Sequence, residues 1–185
     1  ELAFSSMEKM NAFMKGDMTK LPKMKIKSFS KFLKFMQVLL KMSSLLSIKE
    51  PPENDEATSV LLCKCYFYLL SSGISQLNKL GHPAIHDWAL KSPDRCYQWE
   101  VFGHPECTAY IRIKAGKSRA GRGAYKRAKP FFNMKFDCPT SALKILLGTG
   151  DMFQMTANQQ LIMEGGPEFG VQIGDYMMIV GDLAS

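Results

Sequence analysis

Thiols and imidazoles, the usual ligands of structural zinc, occur in one stretch of this 185-residue sequence. Cys63 and Cys65 are one residue apart, and His82 and His86 follow along the chain. A one-residue gap directs two side chains of a helix to different sides, so the cysteine spacing fits a metal poorly. Buried thiols and surface histidines explain the four residues better, because free cysteine is commonly buried. We assign no metal.

A second set of residues could supply a nucleophile and its base. Cys96 or Cys107 would be the thiol and His104 the imidazole. Neither cysteine lies in a glycine elbow, and the sequence shows no third group that would orient His104. A loop histidine beside Pro105 is the better interpretation, so we expect no catalysis and no cofactor.

Basic residues concentrate at positions 112–135, which hold nine Lys or Arg and no acid. Residues 114–123 superficially resemble a phosphate-binding loop, but they lack the required order of Gly, Lys and Ser or Thr and lie between predicted strands. A hairpin over residues 112–129, together with the N-terminal lysines, could contact nucleic acid or an anionic membrane. Its aromatic side chains are confined to Tyr110 and Tyr125, which disfavours base stacking. A solvated strand edge, protected from aggregation by its charge, is the alternative.

Composition and charge restrict the class of protein. Apolar residues form 46% and charged residues 22% of the chain, which indicates a packed core and excludes wholesale disorder. The net charge of +7 arises in residues 1–49, where ten lysines oppose three acids, and this asymmetry favours an anionic partner. No apolar run approaches the ~20 residues of a membrane span. Five cysteines without an export signal predict reduced, mostly buried thiols and a cytoplasmic location.

Residues 1–50 predict a helix-strand-helix extension. Residues 6–14 are rich in Met and Phe and favour a short helix, and residues 24–27 alternate like a brief strand. Ser28 can cap an amphipathic helix over residues 29–46, with a Phe and Met face opposite its lysines.

Residues 51–185 predict an α+β domain. After a proline-rich linker, residues 57–72 form a helix that is apolar almost all round, which indicates burial on most sides. Gly73 permits a break, and a second helical piece over residues 74–90 is interrupted at residues 81–83. Alternation then predicts four strands in an antiparallel meander, followed by helices and one more strand. The strands are 97–101, 109–113, 118–126, 132–136 and 160–163; the helices are 140–147, capped by Asp137 or Thr140, 151–157 and one that follows Pro167.

Three segments in this order carry a family resemblance. They are residues 97–101 (Tyr-Gln-Trp-Glu-Val), 130–136 (Pro-Phe-Phe-Asn-Met-Lys-Phe) and 161–165 (Leu-Ile-Met-Glu-Gly). Together with the flanking helices they resemble the sterol carrier protein type two family over about residues 57–185. The resemblance implies a five-stranded, mostly antiparallel sheet covered by helices and enclosing an apolar cavity for lipids.

We therefore expect residues 51–185 to bind or transfer a lipid, fatty acid or other long apolar ligand without catalysis. The alternative is a nucleic-acid-binding module that uses the 112–129 hairpin, and it is the less favoured of the two. Any one of the candidate ligand contacts can equally be plain core. These inward-facing candidates are Trp99, Ile111, Phe132, Met134, Phe136, Leu143, Leu147, Phe153, Phe169, Ile173, Tyr176 and Met177.

The N-terminal extension has two open interpretations. Residues 16–18, the strand at 24–27 and the helix from Phe29 echo residues 150–152, the strand at 161–164 and the helix from Phe169, as a partial repeat would; two unrelated amphipathic helices explain them equally well. The apolar face of helix 29–46 should be covered. A lid over the cavity, a homodimer interface and an anionic membrane are the options, and we favour packing against protein.

Overall fold

The computed structural model describes residues 2–3, 5–14, 19, 23–24, 28–52 and 54–184. The chain folds as two compact units, residues 1–47 and residues 48–184.

The described residues of the first unit form two helices and a two-stranded sheet. Strand β1 (Leu2–Ala3) pairs antiparallel with β2 (Lys23–Met24), and helices α1 (Met7–Met14) and α2 (Phe29–Leu46) confirm the two predicted helices. Ser28 takes the extended backbone of an N-cap, but its side chain makes no capping bond. The strand was predicted over residues 24–27, but residues 25–27 lie outside the described residues. Residues 16–18, part of the proposed partial repeat, lie outside them as well.

The second unit is built on a five-stranded mixed sheet, which confirms the α+β fold class. Its strands are β3 (Arg95–Val101), β4 (His104–Lys114), β5 (Lys117–Arg122), β6 (Phe132–Phe136) and β7 (Leu161–Glu164). Their order across the sheet is β5-β4-β3-β6-β7, and every pairing is antiparallel except β3 with β6.

The predicted four-stranded meander is correct for β3, β4 and β5 but wrong for β6. After β5 the chain crosses one face of the sheet as a strap over residues 123–131. The Gly123 N–H donates to the Thr108 carbonyl in β4 at 2.7 Å, and the Phe131 N–H donates to the Cys96 carbonyl in β3 at 2.8 Å. The strap therefore delivers β6 to the far side of β3, where it runs parallel to that strand.

Helix α3 (Glu56–Lys79) is longer than predicted, because Gly73 does not break it. A Cβ atom at Gly73 would lie 2.5 Å from Cγ1 of Val180, so the glycine makes room for the last helix instead. In the described part of the chain, one helix, α3, is long and apolar enough to cross a bilayer. Here its apolar side packs on the sheet, with the Phe67 ring 6.3 Å from that of Trp99.

Four more helices complete this unit: α4 (Pro83–Lys91), α5 (Pro139–Leu146), α6 (Met152–Ala157) and α7 (Pro167–Ala184). Cys138 is the N-cap of α5, so both predicted caps, Asp137 and Thr140, are wrong. Pro139 follows Cys138 at the first helical position, where its fixed φ favours helix initiation. Asp151 caps α6 by accepting a hydrogen bond from the Gln154 N–H at 2.8 Å.

The two faces of the sheet differ in chemistry. Tyr97 and Trp99 of β3 face the helices and are fully buried, as are their cross-strand neighbours Ile111 and Phe132. The opposite face carries polar side chains, beginning with Gln98, whose amide oxygen accepts from the strap at the Tyr125 N–H (2.8 Å). The apolar core therefore lies between the sheet and its helices. The enclosed cavity that the resemblance implies stays a prediction.

Candidate functional site

The structure places most predicted ligand contacts on the helix-covered side of the sheet. The buried ones are Trp99, Ile111, Phe132, Met134, Phe136, Leu143, Ile173 and Tyr176, and the half-buried ones are Leu147, Phe169 and Met177. Phe153 does not face inward, since 84% of its surface is exposed. Helix α6 begins at Met152, after its N-cap Asp151, and that phase turns Met155 rather than Phe153 toward the core.

An aromatic groove of about 430 Å³ opens between α4 and α7 above the first residue of β3. Trp88 of α4 and Tyr176 of α7 form its floor, with ring centroids 4.9 Å apart. Phe169 borders it at the start of α7, and Gln172 of α7 also lines it. Its volume lies within the roughly 300–1,000 Å³ of small-molecule sites, and its walls are of the aromatic kind common in them.

A cation stands at the edge of this groove. The Arg95 guanidinium lies 4.0 Å from the ring centroid of Phe131 and 5.0 Å from that of Phe169. Among the described residues, no carboxylate lies within ion-pair distance of Arg95. Lys91 and Asp87, both exposed, line the same groove. An arginine held by aromatic faces without an acidic partner can bind a carboxylate or phosphate in bidentate fashion.

Tyr97 lies beneath the aromatic floor. Its ring is 5.4 Å from that of Trp88 and 5.8 Å from that of Phe131, yet its buried hydroxyl has no hydrogen-bond partner in the described chain. The buried Trp99 indole N–H, two residues along the strand, also has none. Buried polar groups are normally hydrogen-bonded, and one without a partner costs roughly 1–3 kcal/mol. Both donors are therefore destabilising as they stand in the described chain.

The phenol of Tyr176 remains neutral in this setting. Burial raises its pKa above the ordinary value, and the neighbouring Tyr97 and Asp175 act in the same direction, while a hydrogen bond with Gln172 opposes them. The groove therefore presents neutral aromatic rings along its floor and positive charge at one edge. Such an arrangement suits an amphiphile with an apolar body and an acidic end.

The strap-covered face of the sheet holds a polar network around Glu100. Its carboxylate accepts from Gln98 Nε2 at 2.8 Å and from Asn133 Nδ2 at 3.2 Å, and lies 3.5 Å from Lys135 Nζ. Lys135 also pairs with Glu164 at 2.8 Å, which lowers the pKa of that carboxyl. Because Glu100 is already bonded at both oxygens, it is poorly placed to act as a general base.

A second, polar groove of about 710 Å³ lies between residues 50–54 and helices α5 and α6. Lys144 and Glu50 contribute charges of opposite sign, and Thr140, Gln154 and other amides and hydroxyls line the rest. What distinguishes the groove between α4 and α7 from this one is its three aromatic rings, Trp88, Phe169 and Tyr176, since no aromatic side chain lines the groove at α5 and α6 in the described chain.

The candidate base and one candidate thiol each have other partners, since Cys107 Sγ donates to the Val60 carbonyl at 3.4 Å. His104 lies 3.4 Å from a Glu56 oxygen and 3.3 Å from a Glu106 oxygen. Burial raises the pKa of Cys96 to about 12, and a hydrogen bond with Cys107, together with burial, raises the pKa of Cys63. Among the described residues, no three Cys, His, Asp or Glu side chains are grouped to hold a metal ion.

Two residues of the aromatic groove, Trp88 and Arg95, and Tyr97 beneath it were not among the predicted ligand contacts. Tyr97 belongs to the predicted strand 97–101, whose period of two was a usable signal. Trp88 lies in a helical piece whose predicted interruption at residues 81–83 is correct, since α4 begins at Pro83, but a helical pattern alone does not show that Trp88 meets α7. Arg95 becomes a candidate only through the ring positions of Phe131 and Phe169.

Comparisons with known proteins find similarity among solved structures alone. No protein-family model and no curated protein matches the sequence. The chain is similar to the UbiJ-SCP2 ubiquinone synthesis protein, at 18% identity and a TM-score of 0.37 over 63% of this chain and 96% of that chain. It is also similar to sterol carrier protein 2, at 12% identity and a TM-score of 0.39 over 64% of this chain and 95% of that chain. Both bear the name of the family that the sequence resembles.

The inverting sec-alkylsulfatase Pisa1 from Pseudomonas sp. is a third similar structure. Its identity is 18% and its TM-score 0.36, over 51% of this chain but 14% of the sulfatase chain. The chain thus spans a small part of that enzyme.

Proposed function

We propose that this protein binds a lipid or other long apolar ligand non-covalently in the aromatic groove between α4 and α7, and that it carries the ligand without catalysing a reaction. The proposal rests mainly on the groove itself. The rings of Trp88 and Tyr176 pack against each other with their centroids 4.9 Å apart, and Arg95, at the edge of the groove, has no acidic partner in the described chain. The neutral rings suit an apolar chain, and the unpaired guanidinium suits an acidic end.

Burial of the ligand chain sets an upper limit on the affinity of the groove. Each CH₂ group transferred from water to an apolar wall contributes about 0.8 kcal/mol, so eight to ten groups supply roughly 6–8 kcal/mol. Ordering of the ligand consumes part of this gain, and the charged end contacting Arg95 offsets part of that cost. The net affinity is therefore weaker than micromolar, on the order of 10–100 μM, or about 5.5–7 kcal/mol.

The test is titration of the purified protein with a fluorescent fatty acid, alongside native mass spectrometry for co-purified lipid. Trp88→Ala should lower the affinity by about ten-fold or more, because it removes the largest apolar surface of the groove floor. Phe153→Ala is the matched control, since it removes an aromatic side chain that is 84% exposed and outside the groove. Wild-type protein that binds no fatty acid and retains no lipid would refute the proposal, as would equal losses in the two variants.

A further inference from the structure

One end of the second unit combines exposed leucines with lysines. Leu80, just after α3, is 80% exposed, and Leu90, in the last turn of α4, is 56% exposed. Lys79 and Lys91 are their sequence neighbours, and both lysines are exposed. Large apolar side chains this exposed, each beside a cation, are the composition of a surface that enters the head-group region of a bilayer.

The β4–β5 turn belongs to the same end. Ala115 and Gly116 both have positive φ, as the tight two-residue turn requires. The Gly116 N–H donates to the Ala89 carbonyl at 3.0 Å, and the Asn78 amide donates to the Gly116 carbonyl at 3.0 Å. A Cβ at Gly116 would lie 2.8 Å from Leu90 Cδ2, so this leucine lies against the turn. The turn and the ends of α3 and α4 are thus held together as one surface.

The turn adds two more cations, Lys114 and Lys117, both exposed. We call the surface made by Lys79, Leu80, Leu90, Lys91, Lys114 and Lys117 the docking end. Asp94 lies near the docking end, and its carboxylate forms ion pairs with Arg112 at 2.5 Å and with Lys114 at 3.4 Å. Arg112 and Lys114 together exceed the charge of Asp94 by one, and Lys79, Lys91 and Lys117 oppose Asp87 of α4, so the described residues of this end carry a net positive charge.

We propose that the docking end binds the surface of an anionic lipid bilayer, with Leu80 and Leu90 inserted among the acyl chains and the four lysines at the head groups. The proposal rests on the proposed function, because Lys91 lines the aromatic groove as well as the docking end. Docking in this orientation brings the groove to the bilayer, where a lipid can pass into it without crossing bulk water.

The same observations disfavour nucleic acid as the occupant. Exposed leucines gain nothing from a phosphate backbone, whereas they gain free energy in an acyl-chain environment. The aromatic side chains of the basic hairpin are not free for base stacking, since the rings of Tyr110 and Tyr125 pack edge to face at 5.1 Å.

The experiment is flotation of the full chain with two kinds of vesicle, phosphatidylcholine alone and phosphatidylcholine with phosphatidylserine. Wild-type protein should float with the anionic vesicles and lose binding as salt increases. Lys79→Gln with Lys117→Gln should reduce the partition coefficient about 25-fold, because each lysine near an anionic surface contributes roughly five-fold. Leu80→Ser with Leu90→Ser should reduce it by at least about ten-fold per leucine.

Matched controls remove the same groups elsewhere. Arg122→Gln neutralises an exposed cation at the far end of β5, and Leu183→Ser removes a leucine of α7 that is 64% exposed. Strand β5 places Arg122 roughly 17 Å from the turn, beyond the screening length of about 8 Å at physiological salt. These controls should change vesicle binding less than about three-fold.

Fatty-acid binding in solution separates this proposal from the proposed function. The docking-end variants should keep their fatty-acid affinity while losing vesicle binding and transfer of fluorescent lipid between vesicles. Docking-end variants that float like wild type would overturn the docking proposal and leave the groove untouched. The docking proposal also fails if wild type ignores anionic vesicles but binds duplex DNA tightly. Wild type that floats yet binds no fatty acid would instead overturn the proposed function.

Discussion

Helix α7, which lines the aromatic groove, packs against α3, and this contact can be tested quantitatively. A Cβ atom added at Gly73 would lie 2.5 Å from Cγ1 and 3.1 Å from Cγ2 of Val180. Overpacking of this kind costs roughly 1–3 kcal/mol. Replacing glycine by alanine inside a helix gains roughly 0.5–1 kcal/mol. We therefore expect Gly73→Ala to destabilise the protein by about 1 kcal/mol, against the helix propensity.

The residue at position 180 decides whether Gly73→Ala destabilises or stabilises the protein. Val180→Ala removes both clashing methyl groups and leaves Cβ as the nearest atom, at 3.4 Å. Alone it should cost about 1.5 kcal/mol, since Val180 is 5% exposed and loses two buried methyl groups. In that background Gly73→Ala should stabilise by about 0.5–1 kcal/mol. The coupling free energy between the two sites is then about 1–3 kcal/mol.

Urea unfolding of the wild type, both single variants and the double variant, followed by circular dichroism, measures this coupling. Because α7 provides Phe169 and Tyr176 to the groove, Gly73→Ala should also weaken fatty-acid binding. Equal stabilisation by Gly73→Ala in both backgrounds would show that α3 and α7 do not meet at this point, and the reasoning about the groove wall would fail.

Three further predictions concern single features. Tyr97→Phe deletes a buried hydroxyl without a partner in the described chain, so the free energy of unfolding of the ligand-free protein, measured by thermal unfolding, should rise by roughly 1 kcal/mol. A lower free energy of unfolding would show that the hydroxyl has a hydrogen-bond partner. Hydrogen bonds from Arg112 lower the pKa of Asp94 to about 2, so its stabilising effect is present above pH 4 and is lost as pH falls from about 4 to 2; Asp94→Asn should flatten urea stability over that window. Phe32→Asp with Met36→Asp, on α2, should lower the melting temperature or dissociate a dimer, and unchanged melting, mass and lipid affinity would contradict the expected cover of this helix.

The strand pattern was predictable because alternation reports which side chains are buried. Trp99, Ile111 and Phe132 were each placed correctly on the inner face from their apolar neighbours two positions away. Pairing was not predictable to the same degree. Alternation is the same whether a nine-residue connection forms a hairpin loop or a crossover, and only the bonds of the strap to Thr108 and Cys96 decide that β6 joins β3 in parallel.

The two predicted helix interruptions had different outcomes. The one at residues 81–83 is correct, because α3 ends at Lys79 and α4 begins at Pro83. The one at Gly73 is wrong, because it depends on a distant contact. Gly73 favours a break by propensity, but Val180, far along the chain, occupies the space beside it and the helix continues. Two predictions about the candidate site failed for a similar reason, because they depend on tertiary contacts. A helical period that placed Phe153 inward fails because α6 is only six residues long and buries Met155 instead. Arg95 becomes notable only through the rings that flank it.

Photo-crosslinking with a fatty acid that carries a diazirine near the end of its chain tests the central claim most directly. After irradiation and proteolysis, the labelled peptides should come from α4 (Pro83–Lys91) and α7 (Pro167–Ala184), and unlabelled fatty acid should compete the label away. Competable label confined to the polar groove at α5 and α6, or label that competitor does not reduce, would contradict the assignment of the lipid site to the aromatic groove.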